Sequence, residues 1–201
     1  MGDIVRRGRR GFSLIELMLV VAIAIIIGSM ATINFMTAVK NSRVNTAYQT
    51  TMMSLRRARQ GAIDERCLYV VTFTAPRTIL TQKISGGVTT TVTTDTLPFD
   101  IQFRAEPGIP NTATTTPDKF GTGSNAIDFA VDYGGAGTVV YFNPDGSATD
   151  ASSRINNGVV YMVRRGELNT SRAVSVFGAT GRIKGWRLDV PASGTKVWMA
   201  N

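Results

Sequence analysis

Three groups of side chains have types and spacing that invite chemistry: the aspartates Asp128, Asp132, Asp145 and Asp150, the run Gly134-Gly135-Ala136-Gly137, and the basic segment Gly181-Arg182-Ile183-Lys184-Gly185-Trp186-Arg187. The aspartates fit no calcium loop, because no clustered set of oxygen ligands follows from their spacing. The glycine run lacks the Lys-Ser/Thr and the following helix that a phosphate-cradling loop needs, and reads as a hairpin connection. With no histidine in the chain, Ser-His-Asp and Cys-His nucleophiles, His-ligated zinc and imidazole acid-base catalysis are all removed. Cys67, the sole cysteine, cannot form a disulfide within the chain and is expected as a small buried hydrophobe. The expectation is a protein without enzymatic chemistry and without a cofactor or metal. The basic segment is the exception. On a strand, Arg182 and Lys184 share a face, and with Trp186 and Arg187 nearby they could hold a nucleic acid by charge and stacking. The plainer reading leaves the cations in solvent and packs Trp186 in or near the core.

One further side chain is conspicuous by its setting. Between Arg10 and Lys40 the only charge is Glu16, and Leu17 to Ile27 is apolar without a break. About 20 apolar residues at 1.5 Å rise cover a hydrocarbon core of about 30 Å, so 12–35 reads as a transmembrane helix. Arg6, Arg7, Arg9 and Arg10 ahead of it keep the N-terminus cytoplasmic, which puts the remainder on the periplasmic or outer side. A cleaved secretory signal is the competing reading, but the apolar run is long for one and Gly28-Ser29-Met30-Ala31 is a poor cleavage pattern. A carboxylate inside such a helix costs on the order of 2.5 to 3.5 kcal/mol near the bilayer centre, so Glu16 needs a cationic partner.

Gly11-Phe12-Ser13-Leu14-Ile15-Glu16-Leu17 resembles the class III signal of type IV prepilins. The resemblance implies cleavage after Gly11 by a prepilin peptidase and methylation of the new N-terminal residue, Phe12. It also puts Glu16 at the fifth mature position, where the family keeps a glutamate that pairs with the N-terminal amine of a neighbouring subunit. Two groups that are each costly in lipid would then neutralise one another during assembly.

Beyond the membrane segment, Val44, Ala47, Tyr48, Met52, Leu55, Ala58 and Ala62 recur at three- and four-residue steps, the stripe of an amphipathic helix. The helix is expected to run on from the span and end near Gly61. Arg56, Arg57 and Arg59 read as a solvated face, paired with Asp64 and Glu65. Short β-type runs follow: 68–74, 78–84, 88–93, 99–104, 126–131, 138–142, 159–164, 173–177 and 182–188. Turn residues separate them, with Gly86-Gly87 at a hairpin with polar faces and Asn143-Pro144-Asp145-Gly146-Ser147 as a strong turn. The stretch 107–125 reads as an exposed loop. The predicted class is α+β: a long N-terminal transmembrane and amphipathic helix, then a mostly antiparallel, two-sheet, sandwich-like domain. The divisions are a leader at 1–11, the span at 12–35, its amphipathic continuation at 36–66 and the β-rich domain at 67–201.

Val140 to Ser147, with Val174-Ser175-Val176-Phe177-Gly178 and Gly181-Arg182-Ile183, is similar to the GspH/FimT family of minor pseudopilins and minor pilins. That resemblance implies a minor pseudopilin of type II protein secretion, held in the bacterial inner membrane before joining a periplasmic pseudopilus. Its partners would be other pseudopilins, the prepilin peptidase and methyltransferase, and secreted substrates. The alternative is a FimT-like minor type IV pilin that captures DNA through a C-terminal Gly-Arg-x-Arg patch. Here Lys184 stands at the second basic place, which keeps charge and loses the planar fork. The net charge of +8 adds little to the DNA alternative, since the first ten residues supply four of the arginines.

Overall fold

The structure is a computed structural model that describes residues 12–112, 119–134, 137–191 and 194–200, and of 30–34 the backbone alone. The chain divides into two units, the first ending at Lys40 and the second beginning at Asn41.

Helix α1 is Leu14–Glu65. It begins with Ser13 as a cap: the Glu16 N–H donates to Ser13 Oγ at 3.2 Å, the first half of a Ser-x-x-Glu capping arrangement. In the first unit its apolar side chains from Leu14 to Ile27 are exposed. Among the described residues no helix is long and apolar enough to cross a membrane. The side chains of 30–34, inside the span expected at 12–35, lie outside the described residues. Termination comes at Arg66, whose φ of 50° is the left-handed conformation that ends helices. Gly61 lies near that end, as expected, and still within the helix. It is there because Tyr69 packs on it: a Cβ at 61 would stand 2.6 Å from Tyr69 Cζ.

The second unit holds two antiparallel sheets. Strands β1 (Leu68–Thr74), β2 (Thr78–Ser85) and β3 (Val88–Thr96) form a meander, followed by β4 (Ile101–Phe103), β5 (Ile127–Asp128), β6 (Val139–Phe142) and β7 (Ala148–Thr149). Then come β8 (Gly158–Arg164), β9 (Arg172–Phe177), β10 (Arg182–Asp189) and β11 (Val197–Ala200). One sheet has the order β3-β2-β1-β6-β7, and the other β11-β10-β9-β8-β4 with β5 also on β8. The α+β class and the antiparallel pairing are as the sequence predicts. Gly86 and Gly87 turn the β2–β3 hairpin with φ of 57° and 79°, the sign a two-residue primed turn requires. β3 is exposed on both faces along most of its length.

Two apolar clusters hold this unit together. In the first, the predicted helix stripe from Val44 to Ala62 is fully buried against Val71, Phe73 and Phe142 of one sheet and Val160, Met162 and Val174 of the other. The second lies around Tyr161, Ala173, Trp186 and Leu188 of the β11-to-β4 sheet, closed by Ile109, Phe120 and Trp198. It corrects the reading of 107–125 as an exposed loop. Phe120 is stacked on Trp186 at 4.9 Å and meets Trp198 edge-on at 5.7 Å, so the described part of that stretch is a cover rather than a tether; 113–118 lie outside the described residues. Cys67 is also less enclosed than expected, half-buried at the helix exit beside Glu65.

Candidate functional site

At the N-terminus, Gly11 lies outside the described residues, while Phe12 is largely exposed just ahead of the helix. Glu16 sits in the first turn, flanked by exposed Ile15 and Leu17. Among the described residues it forms no ion pair. An acidic residue in a first turn also meets the positive end of the helix dipole, so the position favours a carboxylate even apart from any partner.

The second candidate, the basic segment, is redistributed by the fold. β10 sends alternate side chains to opposite faces. Ile183 and Gly185 meet the helix side, where Gly185 leaves room for Tyr48: a Cβ there would stand 1.7 Å from Tyr48 Oη. Arg187 shares that side, opposite Arg172 in register, and Arg172 Nη2 reaches Asn45 Oδ1 at 3.5 Å. Trp186 lies on the other face, 1% exposed, with its indole N–H donating to Ser175 Oγ at 2.9 Å. It is therefore closed to a nucleic-acid base, and the plainer reading of Trp186 is the one observed. Lys184 places its ammonium 4.2 Å from the centre of that ring, held over it from outside. Arg187 thus stands apart from the other two cations, while Arg182 and Lys184 line one small hollow with Lys119.

Arg182 also joins residues distant in sequence. An open cleft of about 640 Å³ is lined by Arg56, Arg57, Arg59 and Gln60 of α1 together with Thr180, Gly181, Arg182 and Ile183. Among the described residues no acid lines it. The pairing of the three helix arginines with Asp64 and Glu65 does not occur among the described residues. Asp64 accepts from Gln60 at 2.7 Å, while Glu65 is taken by Tyr69 at 2.8 Å and Lys83 at 3.0 Å. The Tyr69 hydroxyl and then Lys83 hold the Glu65 carboxyl below its ordinary range; burial, followed by this bond, pushes Tyr69 up to about 12. Glu65 is spoken for by the β1–β2 hairpin, which sequence spacing along the helix cannot reveal, and Asp64 by a helix neighbour one turn back.

Arg59 has a structural tie as well. Its Nε donates to the Gly146 carbonyl at 3.2 Å, in the Asn143–Ser147 turn. Gly181, with φ of 60°, lies so close that a Cβ would be 2.0 Å from the same carbonyl oxygen. The two sequence segments that carry the C-terminal resemblance, the Asn-Pro-Asp-Gly-Ser turn and the Gly-Arg pair, therefore meet at one helix arginine. Only Arg182 looks outward from that junction, as the two glycines are consumed by close approach.

The aspartates are all in local service. Asp128 accepts from the Ala130 N–H at 3.0 Å, Asp132 from Asn157 at 2.8 Å, Asp145 from Ser147 at 2.8 Å and Asp150 from Ser152 at 2.8 Å. The described residues contain no group of three or more acids, cysteines or histidines placed to hold a metal. In the glycine run, 135–136 lie outside the described residues, and the Gly137 carbonyl accepts from the Phe129 N–H at 2.8 Å.

Residues 6–32 match the family model described as the prokaryotic N-terminal methylation motif, a motif of prepilin-type proteins. Among solved structures, the chain is similar to the minor pseudopilin EpsH from the type 2 secretion system of Vibrio cholerae, with a TM-score of 0.42 and 11% sequence identity over 79% of this chain and 97% of that one. No curated protein matches the chain.

Proposed function

We propose that this chain is a minor pilin-like subunit, specifically a pseudopilin of type II protein secretion. Prepilin peptidase cuts it between Gly11 and Phe12, and Phe12 is methylated. The span at 12–35 then holds it in the inner membrane, with the β-rich domain on the periplasmic side, until it enters a filament of other pseudopilins. Glu16 pairs there with a neighbour's N-terminal amine. The observation that carries this reading is the methylation motif at residues 6–32, with one carboxylate in an otherwise apolar and uncovered helical run. An uncovered apolar surface of that length requires lipid or other chains around it. The subunit's work is structural, with no chemistry of its own.

Intact mass and N-terminal sequencing, on protein recovered from membranes of a host with a prepilin peptidase, test it directly. A methylated Phe12 start is expected for wild type, and Glu16→Ala should be processed yet fail to crosslink to filament subunits. A start at Met1, or a cut near Ala31, would overturn the proposal.

A second reading, capture of DNA by a minor type IV pilin, draws support from the arginine cleft. Guanidinium groups of Arg56, Arg57, Arg59 and Arg182 around one opening suit a phosphodiester backbone. Here the helix arginines replace the stacking once assigned to Trp186. Electrophoretic shift of labelled DNA should weaken steeply with salt and be lost on joint Arg56→Gln and Arg57→Gln substitution. No shift at low salt would sink this reading.

A further inference from the structure

Phe99 is 69% exposed, on the loop between β3 and β4, and Arg43 lies 4.6 Å from its ring centre. Arg43 also reaches Asp100 Oδ2 at 3.4 Å, an oxygen it shares with Arg164 at 3.5 Å. On the same stretch of α1, Asn45 touches Arg172. Arg172 gives its Nη1 to the carbonyls of Thr170 and Ser171 at 3.4 and 3.1 Å, so its hydrogen-bond acceptors are neutral. Directly across the strand pair stands exposed Arg187, and among the described residues no acid pairs with either. Residues 43–45 open the second unit, so an exposed phenyl ring, a guanidinium laid over it and two adjacent arginines without counter-charge all gather where the chain enters that unit.

We propose that this end of the second unit rests on an anionic bilayer, with the Phe99 ring in the headgroup layer beneath Arg43 and with lipid phosphate as the counter-charge for Arg172 and Arg187. The inference rests on the reading of 12–35 as a membrane span. Arg43 is eight steps along α1 from the end of that span, a rise of about 12 Å at 1.5 Å per residue, so the surface is within reach. An aromatic ring with a cation beside it is the pairing that suits a membrane–water interface: the ring is apolar, and the guanidinium finds phosphate at the same depth. Like-charged arginines across a strand pair repel, and an anion between them removes that repulsion. Lipid phosphate is favoured over a soluble anion because the exposed ring at the same place has no use for one. The docked state is that of the subunit waiting in the membrane; leaving for a filament would break these contacts.

The test uses the full chain carrying Phe99→Trp, reconstituted in vesicles of phosphatidylethanolamine and phosphatidylglycerol with brominated acyl chains. Trp186 and Trp198 are buried, at 1% and 3% exposure, and serve as the unquenched background in the parent protein. Vesicle flotation reports membrane insertion, and bromolipid quenching reports the new indole. Flotation with quenching of the added emission is expected. That quenching should be lost on Arg172→Gln with Arg187→Gln, and in vesicles where phosphatidylcholine replaces the anionic lipid, while the thermal transition and flotation persist. Flotation without quenching overturns the docking and leaves the membrane span standing. Equal quenching in anionic and neutral vesicles overturns the phosphate contact, and failure to float overturns both readings.

Discussion

Gly181 and Asp128 show what single positions are asked to do. Gly181 combines a left-handed φ with a neighbouring carbonyl oxygen that would sit 2.0 Å from any Cβ. Gly181→Ala should therefore cost about 1–3 kcal/mol from backbone strain and forced displacement of the Asn143–Ser147 turn, read by denaturant unfolding. Asp128 is buried, and desolvation is the larger influence on it, raising its carboxyl above the ordinary range against the opposing bond from Ala130. Its folded form holds the proton more tightly than its unfolded form, so this residue's contribution to stability falls as pH rises through that window. Asp128→Asn should consequently stabilise the domain at pH 7 and make no gain near pH 3, measured as the midpoint of thermal unfolding. The Ser13–Glu16 cap is legible as Ser-x-x-Glu once the helix start is known. The partnership of Arg59 with Gly146 is not, because the two are 87 positions apart and only the fold brings them together.

The helix stripe is the part of the architecture that local pattern reveals best. Every apolar residue assigned to it by spacing is buried, since a 3.6-residue period has one solution for which face meets a core. Leu55→Ala, with Leu55 wholly buried at the middle of the stripe, should destabilise by about 2–5 kcal/mol, with exposed Met53→Ala as the near-neutral control, both by chemical denaturation. Polar members of the buried face escape the same logic. Thr51 is enclosed because its hydroxyl returns to the Ala47 carbonyl at 3.0 Å, and Ser54 because it donates to Asp95 Oδ2 at 2.7 Å on β3. Strands were found where β-branched runs lie between turn residues, and β1 was delimited to the residue. β7 and β11 were missed: the first has two residues, and the second, Val197–Ala200, has only Trp198 buried. That same Trp198, with Phe120, makes a second core beyond the reach of periodicity, as it is assembled from β8, β9, β10, β11 and the stretch before β5.

Both apolar clusters draw only on residues from Val44 onward, which makes the second unit independent of the uncovered apolar run in its core contacts. A chain beginning at Asn41 is expected to unfold in one cooperative transition with the same midpoint as the full chain in detergent, checked by circular dichroism. A drop of many degrees would mean that the first 40 residues contribute to folding. The basic cleft and the arginines beside Asn45 lie on that same unit, so the anion contacts proposed for it can be tested apart from the N-terminal segment. The β2–β3 hairpin offers something different. At its tip a Cβ built on Gly86 or Gly87 would meet nothing within 4 Å, and β3 is exposed along most of its length. Exposed hairpin tips of this sort tolerate insertions well. A short epitope spliced between the two glycines would leave the folded unit untouched and present a label at a known site, so that gold-conjugated antibody could count the copies in a single fibre and locate them along its length.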